Sequence, residues 1–199
     1  MASMKNLLYN KNFFIAQDTN KVWQKSIGKM IGSLYQFSSV VDFGCGCGHY
    51  LDGFLNSGVK IIMGIEYAYD QAKDFMPKSI VNFVREGNLT MPLDCGKFDC
   101  SFSIEVAEHL PKDKDDIFIE NLIRASNGII ILTAAQPGQR GGIGHINEQP
   151  KEYWIEKMKK QNFQYSQSDV EKINNGFYKV GFSCKYMRLV NRNIMVFKS

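Results

Sequence analysis

Val40-Val41-Asp42-Phe43-Gly44-Cys45-Gly46-Cys47-Gly48 constrains this chain more than any other stretch. It is an apolar strand, an acid, then glycine at every second position. Glycine tolerates positive φ and puts no Cβ between main chain and ligand, so a small molecule can lie against bare backbone. A helix starting at the end of the loop offers unpaired N–H groups and a positive dipole end. Strand, glycine loop and helix in that order make a nucleotide-type cradle at the carboxyl edge of a parallel sheet.

The chain beyond the loop supports such a sheet. Strands are expected over 40–43, 59–66, 80–84, 98–104 and 129–133. Between them stand helical segments: one carrying Leu51, Phe54 and Leu55, one carrying Ala68, Ala72, Phe75 and Met76, and Ile117–Arg124. The alternation implies an α/β fold, a three-layer doubly wound sheet that is mostly parallel. Upstream, Thr19 is placed to cap a helix whose Trp23, Ile27, Met30, Ile31 and Leu34 recur at helical spacing. After Thr133 comes a glycine-rich loop from Gln136 to His145, then a helix over Glu152–Lys160 behind Pro150. Two last strands are expected over 163–168 and 193–198, the second apolar on both sides.

Composition narrows the function. The net charge is +4, and no long basic block occurs among 199 residues. Lys157, Lys159 and Lys160 read as a solvated face, so nucleic acid is not indicated as a partner. No apolar run approaches the roughly 20 residues that span a bilayer. The start, Met1 to Asn6, lacks the apolar core and cleavage site of a secretion signal. A cytoplasmic protein with no membrane partner is therefore expected. The five cysteines, at 45, 47, 95, 100 and 184, include no C-x-x-C pair. They read neither as a disulfide framework nor as a zinc site, and no metal ligand is assigned. Cys45 and Cys47 read as small fillers of a tight loop.

The glycine spacing and the charges then select a ligand. A dinucleotide fingerprint needs glycine at position 49, which is His49, and no phosphate-binding G-x-x-x-x-G-K-[ST] loop occurs. A phosphate ligand wants positive groups near the loop. This loop has Asp42 before it instead, and Glu66 ends the next strand. Adjacent strand ends lie about 5 Å apart, so both acids face one crevice. Glu66 is placed to accept hydrogen bonds from a ribose diol, and Asp42 favours a cation. S-adenosylmethionine has a ribose, two positive centres and no phosphate.

The same residues carry a family resemblance. The chain resembles the class I (seven-strand) S-adenosylmethionine-dependent methyltransferases of the small type 11/23 kind, well over about 38–135 and loosely elsewhere. Val40–Gly48 looks like the first motif, hhDxGxGxG, and Ile61–Glu66 like the second strand with its ribose-binding acid. Arg85–Pro92 is similar to the adenine-side motif, with Asn88 where aspartate is usual. Phe98–Leu110 resembles the fourth-strand motif ending in a Glu-His pair, here Glu108-His109. The resemblance implies strand order 3-2-1-4-5-7-6 with strand seven antiparallel. It implies cofactor contacts from Asp42, Gly44, Cys45, Gly46, Gly48, Glu66, Tyr67, Asn88, Leu89, Ser103, Ile104 and Glu105. The expected organisation is a single domain over 1–199: a helical cap at 1–38, a cofactor-binding half at 39–135 and an acceptor-side half at 136–199.

Methyl transfer from a sulfonium is an in-line displacement, and a base is needed only when the acceptor must lose a proton early. Three histidines exist, at 49, 109 and 145. His49 is expected near the methionine end or on the surface. His145, on the glycine-rich loop, is the first candidate for a base or acceptor-orienting group, and His109 the second. No [DNS]-P-P-[YFW] sequence and no Pro-Cys pair after strand four occur, which disfavours adenine, glutamine and cytosine acceptors. A small-molecule acceptor with an oxygen nucleophile is expected, S-adenosylhomocysteine being the product. The alternative is a non-catalytic binding or scaffold subunit on the same fold.

Overall fold

The computed structural model describes residues 8–139, 142–181 and 184–199. Its strands are β1 (Ser39–Phe43), β2 (Ile61–Glu66), β3 (Val84–Glu86), β4 (Phe98–Ser103), β5 (Ser126–Leu132), β6 (Gln164–Tyr165) and β7 (Met195–Lys198). They form one sheet in the order β3-β2-β1-β4-β5-β7-β6. The pairs β1–β2, β1–β4, β2–β3 and β4–β5 are parallel. β7 runs antiparallel between β5 and β6. Both the order and the antiparallel β7 are those the resemblance implied.

The helices are α1 (Lys11–Asp18), α2 (Lys21–Tyr35), α3 (His49–Ser57), α4 (Tyr69–Ala72), α5 (Asp115–Ala125), α6 (Lys151–Lys160), α7 (Gln167–Val180) and α8 (Lys185–Asn193). Side chains alternate across the strands, so Val40 and Phe102 point to one core while Val41 and Phe43 point to the other. Ile27, Ile31, Leu51, Phe54, Ile173 and Phe177 from α2, α3 and α7 fill the first. Phe118, Leu122, Trp154 and Met158 from α5 and α6 fill the second. All five β1 residues are buried, which is why that strand is apolar but for Ser39 and Asp42. Among the described residues, no helix is long and apolar enough to cross a membrane.

The structure differs from the sequence expectation in four places. Thr19 does not begin a helix: its Oγ1 donates to the Ala16 carbonyl at 2.6 Å, closing α1. The lead-in is thus two helices, and Asn10 caps the first through Oδ1, which accepts from Asn12 N–H at 2.9 Å. The third strand begins at Val84, not Ile80, because the Ile80 N–H turns back to the Pro77 carbonyl and Val81–Phe83 form a 3-10 turn. The expected strand over 163–168 shrinks to Gln164–Tyr165, since Ser166 caps α7 by accepting from Asp169 N–H. Finally, α7 and α8 were not anticipated, although Val170, Ile173 and Phe177 carry a helical stripe.

Candidate active site

The glycine loop sits over the carboxyl end of β1. Gly44 and Cys45 donate to the Ile65 carbonyl at 2.8 and 3.1 Å, binding the loop to β2. Gly44 adopts φ of 78°, a left-handed conformation that side chains disfavour. Glu66 is 7% exposed, and its carboxylate accepts from Gly46 N–H at 2.9 Å and Ala68 N–H at 2.8 Å. Two backbone donors therefore fix this acid at the mouth of the crevice.

The loop is only partly bare. Gln17 of α1 reaches over it, and its Oε1 accepts from Cys47 N–H at 2.8 Å. A Cβ on Gly46 would stand 2.1 Å from that oxygen. Gly44 borders the crevice with Val106 packed against it, whereas Gly46 is covered by Gln17 and Gly48 packs against Ile80. His49 is buried, with Nε2 2.8 Å from Asp18 Oδ1. That pair clamps α1 onto α3, so His49 anchors the cover instead of lying at the surface.

Two adjoining chambers result. The larger, about 300 Å³, is lined by Glu66, Tyr67, Asn88 and Leu89 from the sheet side and by Tyr9, Phe13 and Gln17 from the amino-terminal segment. The smaller, about 100 Å³, is lined by Asp42, Cys45, Ile104, Tyr50 and Tyr186. Gly44, Gln17 and Glu105 border both. Of the expected cofactor contacts, Gly46, Gly48 and Ser103 line neither chamber; Ser103 is buried and its Oγ donates to the Phe43 carbonyl at 2.7 Å, clamping β4 to β1. Asn88 lines the larger chamber, but its Oδ1 already accepts from Thr90 N–H and Oγ1 at 3.0 and 2.8 Å. An adenine amino group would have to share that oxygen.

Sequence reasoning missed Gln17, Tyr9, Tyr50 and Tyr186. Tyr9 and Gln17 reach the crevice from the cap and Tyr186 from α8, where nothing local marks them, while Tyr50 comes from the first turn of α3. Tyr50 and Tyr186 join by a hydroxyl–hydroxyl hydrogen bond, and Gln24 Nε2 donates to the Tyr186 hydroxyl at 3.1 Å. Glu105 is held in a left-handed conformation, φ 54°, unusual for a residue with a side chain. Its carboxylate accepts from Gln139 Nε2 and Asn193 Nδ2, both at 3.0 Å, tying the glycine-rich loop to α8.

Asp42 is 1% exposed, and its Oδ2 has no hydrogen-bond partner among the described residues. Burial, then the nearby charge of Glu66, lifts its carboxyl well above the usual carboxylate range. Because the folded pKa is raised, Asp42 favours the fold below the unfolded pKa and loses that contribution as pH rises through the folded one. Asp42→Asn without ligand is therefore expected to melt higher than wild type in mildly alkaline buffer and to vary less with pH. Calorimetric melts across the pH range check this; an unchanged pH profile would contradict it.

His109 lines the larger chamber, and its Nδ1–H donates to the Gly144 carbonyl at 3.2 Å. Burial, then the neighbouring His145, holds its pKa down at about 4, so the ring is neutral. His145 stands behind it, ring centroids 4.9 Å apart, and does not line either chamber. Of the two expected catalytic histidines, His109 alone reaches the crevice. Glu108 is fully buried next to them, its carboxyl pushed up to about 8 by burial and then by Glu105.

Residues 41–132 match the family model described as a methyltransferase domain. Over that stretch the chain is similar to methyltransferase domains, and its seven-strand sheet has the fold of the class I methyltransferases. Solved structures of similar fold include the magnesium protoporphyrin IX methyltransferase of Synechocystis PCC 6803 with bound S-adenosylhomocysteine. It is 16% identical, with TM-score 0.57 over 77% of this chain and 79% of that one. An O-methyltransferase family protein from Burkholderia thailandensis is 11% identical, with TM-score 0.63 over 93% of this chain and 57% of that one. An O-methyltransferase from neocarzinostatin biosynthesis, in complex with S-adenosylhomocysteine and 1,4-dihydroxy-2-naphthoic acid, is 16% identical. Its TM-score is 0.52 over 65% of this chain and 44% of that one, so this chain spans less than half of its length. At these identities the likeness speaks for the fold. No curated protein sequence matches the chain significantly.

The crevice fits S-adenosylmethionine, the cofactor that the sequence resemblance implies. Glu66 offers a fixed carboxylate to a ribose beside Tyr67 and Leu89. Asp42 supplies a buried oxygen without a partner in the adjoining chamber, where a cationic group would relieve the cost of its burial.

Proposed function

We propose that the protein transfers the sulfonium methyl of S-adenosylmethionine to an oxygen atom of a small-molecule acceptor. In this reading the adenosine lies in the larger chamber against Glu66, Asn88 and Leu89, and the amino-acid end lies towards Asp42. Transfer breaks the S–CH3 bond and forms an O–CH3 bond in line. The sulfonium becomes a neutral thioether, and the hydroxyl proton leaves the acceptor.

The observation that carries the reading is His109 in the wall of the same crevice as Gly44 and Glu66, backed by His145 and Glu108. Of the groups around the crevice, these are suited to activating a hydroxyl, which a neutral amine with a free lone pair would not require. Leu8, Tyr9, Phe13, Leu110 and Ile146 give the chamber an apolar, aromatic lining suited to a compact organic molecule. Two proteins of similar fold are described as O-methyltransferases, which agrees with the choice.

Incubation with methyl-labelled S-adenosylmethionine and a panel of phenols, hydroxy acids and a metabolite extract tests it. Label is expected in an ether or ester of a small molecule. Label on nitrogen, carbon or a macromolecule would overturn the acceptor assignment. Cofactor binding with no transfer to any fraction would favour the scaffold alternative.

A further inference from the structure

We infer that Glu108, His109 and His145 form a binding site for one divalent transition-metal ion. One ligand atom from each lies within 4.8 Å of the other two, and His145 Nε2 is 3.8 Å from Glu108 Oε1. Donors bound to one ion at about 2.1 Å stand roughly 3–3.5 Å from each other, so side-chain adjustments of an ångström or so close the set. The sequence did not announce the site because its ligands are split between the turn after β4 and the glycine-rich loop after β5.

Both imidazoles are presented in the ligand form. His109 Nδ1 faces a carbonyl, Gly144 O, which can only accept, so the proton is on Nδ1 and the Nε2 lone pair is left over. His145 Nδ1 lies 2.8 Å from Glu148 Oε1, which accepts from Nδ1–H and leaves Nε2 free of a proton, 3.8 Å from Glu108 Oε1. A metal-bound histidine commonly donates its second ring N–H to a carbonyl or carboxylate, which fixes tautomer and orientation. Here both histidines do so.

Glu108 supplies an independent sign. It is 0% exposed, and neither carboxylate oxygen has a hydrogen-bond partner of ordinary geometry among the described residues, the backbone N–H groups of Glu108 and Ala135 approaching it only loosely. A buried carboxyl so poorly served by donors is costly, and a cation bound to it removes the cost. The loop is also shaped around the second histidine: a Cβ on Gly142 would stand 1.8 Å from His145 Nε2, so only glycine leaves the ring its place.

Two imidazole nitrogens and one carboxylate suit Fe²⁺, Co²⁺ or Zn²⁺, whereas Mg²⁺ and Ca²⁺ prefer all-oxygen sets. Three protein ligands leave coordination positions open. His109 both belongs to the cluster and lines the chamber, so an acceptor hydroxyl bound there can reach such a position. The ion would lower the pKa of that hydroxyl, the proton would pass to water, and the resulting oxyanion would take the methyl group as the S–C bond breaks. This use of the ion rests on the oxygen-acceptor reading; ion binding itself does not.

Chelator-treated protein titrated with Co²⁺, followed by visible absorption and calorimetry, tests the site. The expected result is one Co²⁺ per chain, bound at least about 100-fold more tightly than Mg²⁺. Glu108→Gln, which keeps the side-chain volume, and His145→Ala should each weaken binding by about 10-fold or more. If the alanine variant does not fold, the Glu108→Gln comparison decides. S-adenosylmethionine titrations of the same samples report on the cofactor crevice separately. No saturable Co²⁺ binding, variants that bind as wild type does, or a thiolate charge-transfer band tracing the ion to Cys95 or Cys184 would each overturn the assignment.

Discussion

Replacing Glu66 by alanine is expected to weaken S-adenosylmethionine binding by about 10- to 100-fold, about 1.5–3 kcal/mol. The estimate is that for hydrogen bonds to a charged acceptor. Two effects combine in this variant. The ribose loses its acceptor, and Gly46 and Ala68 lose the carboxylate that holds their N–H groups at 2.9 and 2.8 Å. Glu66→Gln separates them, since the amide keeps one oxygen for the backbone while losing the charge; its affinity should fall between wild type and alanine. Titration calorimetry on folded protein, checked by melting temperature, measures both. Wild-type affinity in Glu66→Ala would remove this residue from the site.

The second large effect concerns the scaffold. Trp154 of α6 is fully buried against the β5–β7 face of the sheet, packed edge-to-face on Tyr153 with ring centroids 5.1 Å apart. Trp154→Ala should cost about 3–5 kcal/mol, because the cavity cannot close around so large a deletion. For a domain of this size that lowers the melting temperature by roughly 10 °C or more. Trp154 Nε1–H, however, has no hydrogen-bond partner among the described residues. Trp154→Phe therefore sheds an unmet donor along with some packing, and should cost under about 1.5 kcal/mol. Urea unfolding of the two variants gives both numbers. Equal losses would mean that Nε1–H is in fact satisfied.

Much of the fold was legible because its signals are local. The apolar β1 run, the Gly44-x-Gly46-x-Gly48 spacing and the acid ending β2 each follow from backbone geometry within a few residues. Glu66, Gly44 and Asp42 were singled out for that reason, and they line the two adjoining chambers. Gln17 was not found, because covering the loop depends on how α1 folds back, and that is set by the distant His49–Asp18 pair. Tyr186 was missed with α8, whose run Lys185–Asn193 is mostly polar and buries Met187, Val190 and Asn193. Ser103 looked like a ligand contact because of its place in the fourth-strand motif. In three dimensions its hydroxyl is spent on the Phe43 carbonyl. The histidines were legible as candidates but not as a pair with Glu108, since only the return of the glycine-rich loop brings 145 next to 109.

The most direct measurement is titration calorimetry of the unmodified protein with S-adenosylmethionine and S-adenosylhomocysteine, repeated on Glu66→Ala. One molecule of either ligand should bind per chain, and the variant should lose most of that affinity. Absence of binding by both ligands, with the protein shown to be folded, would contradict a working adenosyl site between Asp42 and Glu66.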